Sequence, residues 1–387
     1  MPVWKTTSPP ASIGEPKRRP EKVRPDSRAI LASSSHSPGQ GPPGAGGEDS
    51  AGMRASQGPP RAAAERSLVG VRPGGVVVSV NLSGRGIGCR RNRAAHRGER
   101  GRRMSSPRRV LLIGLDAAEP SRIEEGSARG ELPEIAALLG RGTYGRLGTT
   151  AGLLSGSPWP TFYTGSSPGA HGLYHHMQWR SEKARLERPS DRWLPVLPFW
   201  RAFPESGPRA VVLDAPMTYP PAPFPGFEIA GWATHDRLGP PASHPEGALA
   251  DMRRAFGRDL VAEEVHGLQK LGDLRALGAS LARASEKVGE AGEALLRREP
   301  WDLFFVTFGT LHRAGDKLWD ETAVRGAASP EDVESIAAAL DGVYAAVDRA
   351  VGRLVRAAGD GTAVVLFSLH GMGPNRNRSP LLPEMLR

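Results

Sequence analysis

From Arg108 onward the sequence predicts an α/β fold, a doubly wound and mostly parallel sheet with helices on both faces. Three observations carry the expectation. Short apolar runs alternate with helical patterns. The runs are continuously apolar, as in Val364-Val365-Leu366-Phe367, which is how strands covered on both faces read. A long amphipathic pattern separates the last two runs, as a crossover between parallel strands requires.

Taken in order, residues 1–103 are rich in Pro, Gly, Ser, Ala and Arg and lack periodicity. They are expected to stay disordered, because such a segment buries too little apolar surface to offset its ordering entropy. One apolar stretch, Val76 to Val80, reads as too isolated to nucleate a domain. Composition changes abruptly at Met104, which reads as the true start, with the preceding residues a mis-called upstream extension and the folded unit spanning 104–387. The expected strands are 109–115, 209–213, 227–232, 302–308 and 362–369. A long helix is expected at about 275–298. A second begins at Ser329, which can cap, with Pro330 and Asp332 in the first turn. Ile336, Leu340, Val343, Val347, Val351 and Leu354 recur at helical spacing along it, and Gly359 can end it.

The formal net charge of +10 divides unevenly. Residues 1–103 carry 19 Lys+Arg against 7 Asp+Glu, and the remainder carries 32 against 34. A basic arm can meet RNA or anionic lipid through phosphate contacts. It holds few aromatics and no recognised module, so no specific nucleic-acid partner is expected. The single cysteine, Cys89, lies in the tail, so a metal in the folded part must use His and carboxylate ligands. No run is long enough to span a membrane, and the N-terminus lacks the apolar core of a secretory signal. The expected location is the cytoplasm.

Sheets of this kind gather ligands at the carboxyl ends of their strands. Asp116 ends the first strand, where a carboxylate binds a cation or caps the next helix. Ser155-Gly156-Ser157-Pro158-Trp159-Pro160-Thr161-Phe162-Tyr163-Thr164-Gly165 runs on to Pro168-Gly169-Ala170-His171-Gly172. A serine at a tight turn before a helix is placed to attack phosphorus, and an ordinary Ser/Pro loop reads the same way. His312 and Asp316, four apart after strand 302–308, are either two ligands on one helical face or a surface pair. His370 closes strand 362–369 between Leu369 and Gly371, as a ligand or as a structural histidine. Trp232-Ala233-Thr234-His235-Asp236 follows another strand and lines a substrate side or packs on the core.

The order Gly-Leu-Asp, Ser-x-x-x-Trp-x-x-Phe-x-Thr-Gly-x-x-Pro-Gly-x-His-Gly, a ligand pair four apart, then Ser-x-His-Gly-Met-Gly resembles the alkaline phosphatase superfamily. Its type I phosphodiesterase/nucleotide pyrophosphatase branch is the nearest. The resemblance covers about Arg108 to Asn375. It implies two divalent metal ions, usually Zn2+, flanking a hydroxyl nucleophile four positions before the Trp, here Ser155, with Ser157 as the fallback. It places Asp116, Ser155 and His370 on the first ion and His312 and Asp316 on the second. It implies a phosphoserine intermediate, which water then cleaves, and a small phosphorylated substrate.

The sequence departs from the family pattern three times. Leu369 stands where an Asp is expected, the usual Asp-x-x-x-His order is reversed in His312…Asp316, and no later His follows before Arg387. The fold is therefore expected to be incomplete at the C-terminus. Sulfatase chemistry fits less well, since Ser155 is followed by Gly156 and Ser157 rather than x-Pro-x-Arg. A rival expectation is a degenerate, catalytically inactive member that binds phosphorylated ligands.

Overall fold

Alternation of side chains along each apolar run decides how the sheet is buried. The computed structural model describes residues 75–81, 109–152, 154–190, 193–218, 223–234, 239–258, 260–261, 267–374 and 385–386. Its strands are β1 (Gly75–Asn81), β2 (Arg109–Leu115), β3 (Thr143–Leu147), β4 (Gln178–Arg180), β5 (Arg185–Glu187), β6 (Ala210–Leu213), β7 (Gly226–Ala230), β8 (Ala242–His244), β9 (Leu303–Phe308) and β10 (Thr362–Ser368). The helices are α1 (Pro120–Ala128), α2 (Pro133–Arg141), α3 (Pro158–Thr164), α4 (Pro168–His171), α5 (Ala248–Phe256), α6 (Leu271–Arg298), α7 (Thr310–Lys317) and α8 (Pro330–Ala358). The remaining residues of 1–108, Cys89 included, lie outside the described ones, as do His235 and Asp236.

Eight strands form one sheet in the order β3-β1-β10-β2-β9-β6-β7-β8, and β4 and β5 form a separate hairpin. The central five, β10, β2, β9, β6 and β7, pair in parallel. The strands β1, β3 and β8 join in antiparallel fashion outside them. Leu111, Ile113 and Leu115 of β2, with Phe304, Val306 and Phe308 of β9, pack into the large core under α1, α2 and α5–α8. Phe305 of β9 and Phe367 of β10 face the other side, against Trp159, Tyr163 and Trp200. Both faces are covered, as continuous apolar strands require.

The two long helices lie parallel and close. A Cβ at Gly278 would stand 2.8 Å from that of Ala339, and one at Gly289 would stand 2.7 Å from that of Ala350. Both glycine and alanine pairs recur after three helical turns, so the same face stays in contact. Ser329 and Asp332 form a reciprocal capping box at the start of α8. The α2 start has no capping side chain of its own. The buried Asp348 of α8 accepts the N–H groups of Glu134 (3.2 Å) and Ile135 (2.8 Å) there, which fixes α2 to α8.

The structure differs from the sequence expectation at Val76 to Val80. That stretch, read as too isolated to nucleate a domain, lies in a strand of the sheet. β1 pairs with β10 from Val76↔Ser368 to Asn81↔Ala363 and with β3 on its other edge. A segment isolated in sequence finds its ladder partners in chain far from it.

Candidate metal centre

Strand order alone brings three ligand candidates together. β2 lies between β10 and β9, all three parallel, so their carboxyl ends open side by side. Asp116 directly follows β2, His312 sits in the first turn of α7 just past β9, and His370 follows β10. One ligating atom from each of these three residues lies within 4.8 Å of the others. Asp116 and His370 are buried and His312 is a quarter exposed.

Neighbouring groups fix each of these side chains. Asp116 is 1% exposed, and burying a carboxylate without compensating charge is costly. Its Oδ1 accepts a hydrogen bond from the Trp159 indole Nε1 at 2.8 Å, and its Oδ2 lies 3.2 Å from His312 Nδ1. The Trp159 ring reaches Asp116 because residue 114 is glycine: a Cβ there would stand 2.7 Å from the ring. The His312 and His370 rings meet edge to face at 5.9 Å. The Ser368 hydroxyl donates to the His370 carbonyl at 2.7 Å, which holds the turn after β10. A Cβ added at Gly371 would clash with the Glu119 carboxylate, and one at Gly315 would stand 2.9 Å from Met372 Sδ. The three segments that carry Asp116, His312 and His370 thus brace one another.

The serines separate clearly. Ser157 is fully buried, and its hydroxyl donates to the Leu154 carbonyl at 2.7 Å and meets the Thr150 hydroxyl at 2.5 Å. Ser155 is exposed, in the turn just before α3, the helix that carries Trp159 to Asp116. Asp316 lies one turn beyond His312 on α7 but outside the group of three, and its carboxylate pairs with Lys317 Nζ at 3.1 Å. Leu369 packs against the apolar cluster beneath α3.

His171 is a structural residue. It is fully buried, its Nδ1 accepts the Leu173 N–H at 3.1 Å, and its Nε2 lies 3.0 Å from Thr161 Oγ1. Nε2 therefore carries the proton and donates. Burial pushes its pKa down, which keeps the ring neutral. Asp214, at the end of β6, accepts the N–H groups of Trp232 (2.7 Å) and Ala233 (2.5 Å). Trp232 is itself buried, so the start of the 232–236 segment packs on the core.

The sequence model of the type I phosphodiesterase/nucleotide pyrophosphatase family matches residues 110–385. The chain belongs to this family. The matched span takes in all five parallel strands of the phosphodiesterase fold and every ligand candidate. Phosphonoacetate hydrolase from Sinorhizobium meliloti 1021 appears twice among similar solved structures. Its complex with phosphonoformate aligns with a TM-score of 0.42 at 16% identity, covering 70% of this chain and 58% of that one. Its complex with phosphonoacetate aligns with a TM-score of 0.43 at 18% identity, covering 72% of this chain and 62% of that one. This chain therefore spans about three-fifths of that hydrolase's length. No curated protein matches the phosphodiesterase-family sequence described here.

His312, which the resemblance pairs with Asp316 on a second ion, lies in one group with Asp116 and His370. The hydrogen bond from Trp159 to Asp116 escaped the sequence. The only sequence signal for the tryptophan was its fixed spacing from Ser155.

Proposed function

We propose that this chain is a metal-dependent phosphoester hydrolase of the phosphodiesterase/nucleotide pyrophosphatase type, working through a phosphoserine on Ser155. One observation carries the reading: the ligating atoms of Asp116, His312 and His370 converge within 4.8 Å at the ends of three adjacent parallel strands. One carboxylate and two imidazoles suit a zinc-like divalent cation, and three protein donors leave a position open for substrate. When bound, the cation acts as a Lewis acid, lowering the pKa of a nearby hydroxyl and neutralising phosphate oxygens.

The chain's own groups do the rest. Asp116 and the two histidines fix where positive charge stands, and Trp159 and Ser368 hold two of them in register. Ser155 supplies the exposed hydroxyl. Its Oγ forms a bond to phosphorus as the ester oxygen leaves, and water then displaces the serine oxygen. Two in-line displacements give net retention at phosphorus. The substrate is a small phosphorylated molecule.

Zn2+-loaded protein should hydrolyse bis-p-nitrophenyl phosphate, and Ser155→Ala should lower kcat by about a thousandfold or more. Undiminished turnover in that variant would remove Ser155 from the mechanism. Leu369 supports a second reading, a member that binds phosphorylated ligands without turnover. The side chain at the expected carboxylate position is apolar and packed away among aromatics. Metal uptake and phosphate binding with no hydrolysis in the wild type would favour that reading.

A further inference from the structure

The turn that carries His370 runs on through Gly371 and Gly373, residues that give a backbone wide freedom. Ordering such a turn on binding would subtract from cation affinity, so what holds it beforehand matters. Glu119 supplies a hold. It immediately precedes α1, in the turn that Asp116 opens, and its backbone N–H donates to the hydroxyl of the buried Tyr344 on α8 at 3.0 Å. Its carboxylate reaches across to the turn after β10. A Cβ on Gly371 would collide with Glu119 Oε2 and would stand 2.9 Å from Pro120 Cδ. The Met372 backbone N–H donates to the same carboxylate. Met372 then touches the third segment, since a Cβ on Gly315, one turn along α7 from His312, would stand 2.9 Å from its Sδ. Glu119 and Met372 together therefore meet all three segments that carry Asp116, His312 and His370.

We propose that Glu119 is a positioning residue for the cation centre: its carboxylate clasps the 370–372 turn and holds His370 beside Asp116 before the ion arrives. This rests on the metal-dependent reading above. Glu119 stands outside the group of three ligating residues and acts on it through the Met372 N–H. Gly371 is glycine so that the carboxylate can come this close.

The test uses the full chain, stripped with a chelator and titrated with Zn2+ by calorimetry, with circular dichroism to show that each variant folds. Glu119→Ala should bind Zn2+ about tenfold more weakly, the usual scale for losing a partner behind a metal ligand. Glu119→Gln keeps an oxygen that accepts from Met372 and should stay within about threefold of the wild type. A merely structural role would lower stability and leave the Zn2+ affinity of the folded protein unchanged. Gly371→Ala should also weaken Zn2+ binding, by pushing the carboxylate aside, and should cost less in the Glu119→Ala background, where that carboxylate is gone. Unchanged affinity in Glu119→Ala, a Gln variant as weak as the Ala variant, or equal cost of Gly371→Ala in both backgrounds overturns the clasp and leaves the metal-dependent reading standing. Wild-type affinity in Gly371→Ala alone overturns it too, so the test survives a Glu119→Ala chain that does not fold. No Zn2+ uptake by the wild type overturns both readings.

Discussion

Ala117, directly after Asp116, has φ of +58°, in the left-handed region that costs an alanine about 1–2 kcal/mol. The turn is held by what surrounds it: Ala117 is 2% exposed, and Asp116 is fixed from both sides by Trp159 and His312. Ala117→Gly relieves that strain and gives back part of the gain as chain entropy. The variant should be more stable by about 0.5 kcal/mol, read from urea midpoints, and a destabilised variant would show that the methyl group packs usefully. Trp159→Phe fills most of the indole volume and removes the donor to Asp116. Zn2+ affinity should fall about tenfold to a hundredfold with the fold retained, as calorimetry and circular dichroism can show. His171 sets a pH dependence. Its folded-state pKa is depressed by burial, so its contribution is complete above the unfolded value of about 6.5 and declines as pH falls through it. Melting midpoints of metal-free protein should drop from pH 7.5 to 5.5, with a shallower drop in His171→Gln; identical slopes in the two would exclude His171 as the source. Asp116, His312 and His370 were each legible as strand-end polar residues; singly each had a structural alternative, and their common place at the carboxyl ends of parallel strands is what joined them. That His312 lies in one group with Asp116 and His370 depends on the direction of α7 and not on spacing.

The elements obey local rules that the sequence displays openly. β2, β9 and β10 lie within one residue of their expected bounds, and α8 runs from Pro330 to Ala358, just past its cap at Ser329. Long apolar runs and a capping box are strong signals, because burial on both faces and satisfaction of the first-turn N–H groups leave little choice. The hairpin β4–β5 and the strand β3 escaped notice because they are short and mostly exposed, so no apolar period announces them. The α6–α8 contact yields a sharp prediction. Gly289→Leu forces a branched side chain into the space of Ala350 and should cost about 1–3 kcal/mol, measured as a shift in chemical denaturation. Leucine at Gly272, where no atom lies within 4 Å of a new Cβ, should cost nothing comparable.

Across the whole molecule, the strand within the basic N-terminal segment is what the composition concealed. β1 is laddered on both edges by strands remote in sequence. Composition reports local tendency, and β1 exists through non-local pairing. A chain beginning at Met104 loses β1 and uncovers the edges of β10 and β3, so it should melt lower and aggregate sooner than one beginning at Leu68. Equal melting temperatures would mean that β1 adds nothing to the sheet. Zn2+ should raise the melting point of the wild type and not of His370→Ala, since a ligand at a hundred times its Kd adds about 2.7 kcal/mol.

The position of β2 between β9 and β10 also shapes how the chain is made. Asp116 and His312 are 196 residues apart in sequence, and β9, the first parallel strand to flank β2, is made only just before His312. Throughout that interval an apolar strand waits with both hydrogen-bonding edges open. Nascent protein in that state invites self-association, and chaperone supply and slow translation should therefore govern the yield of recombinant material.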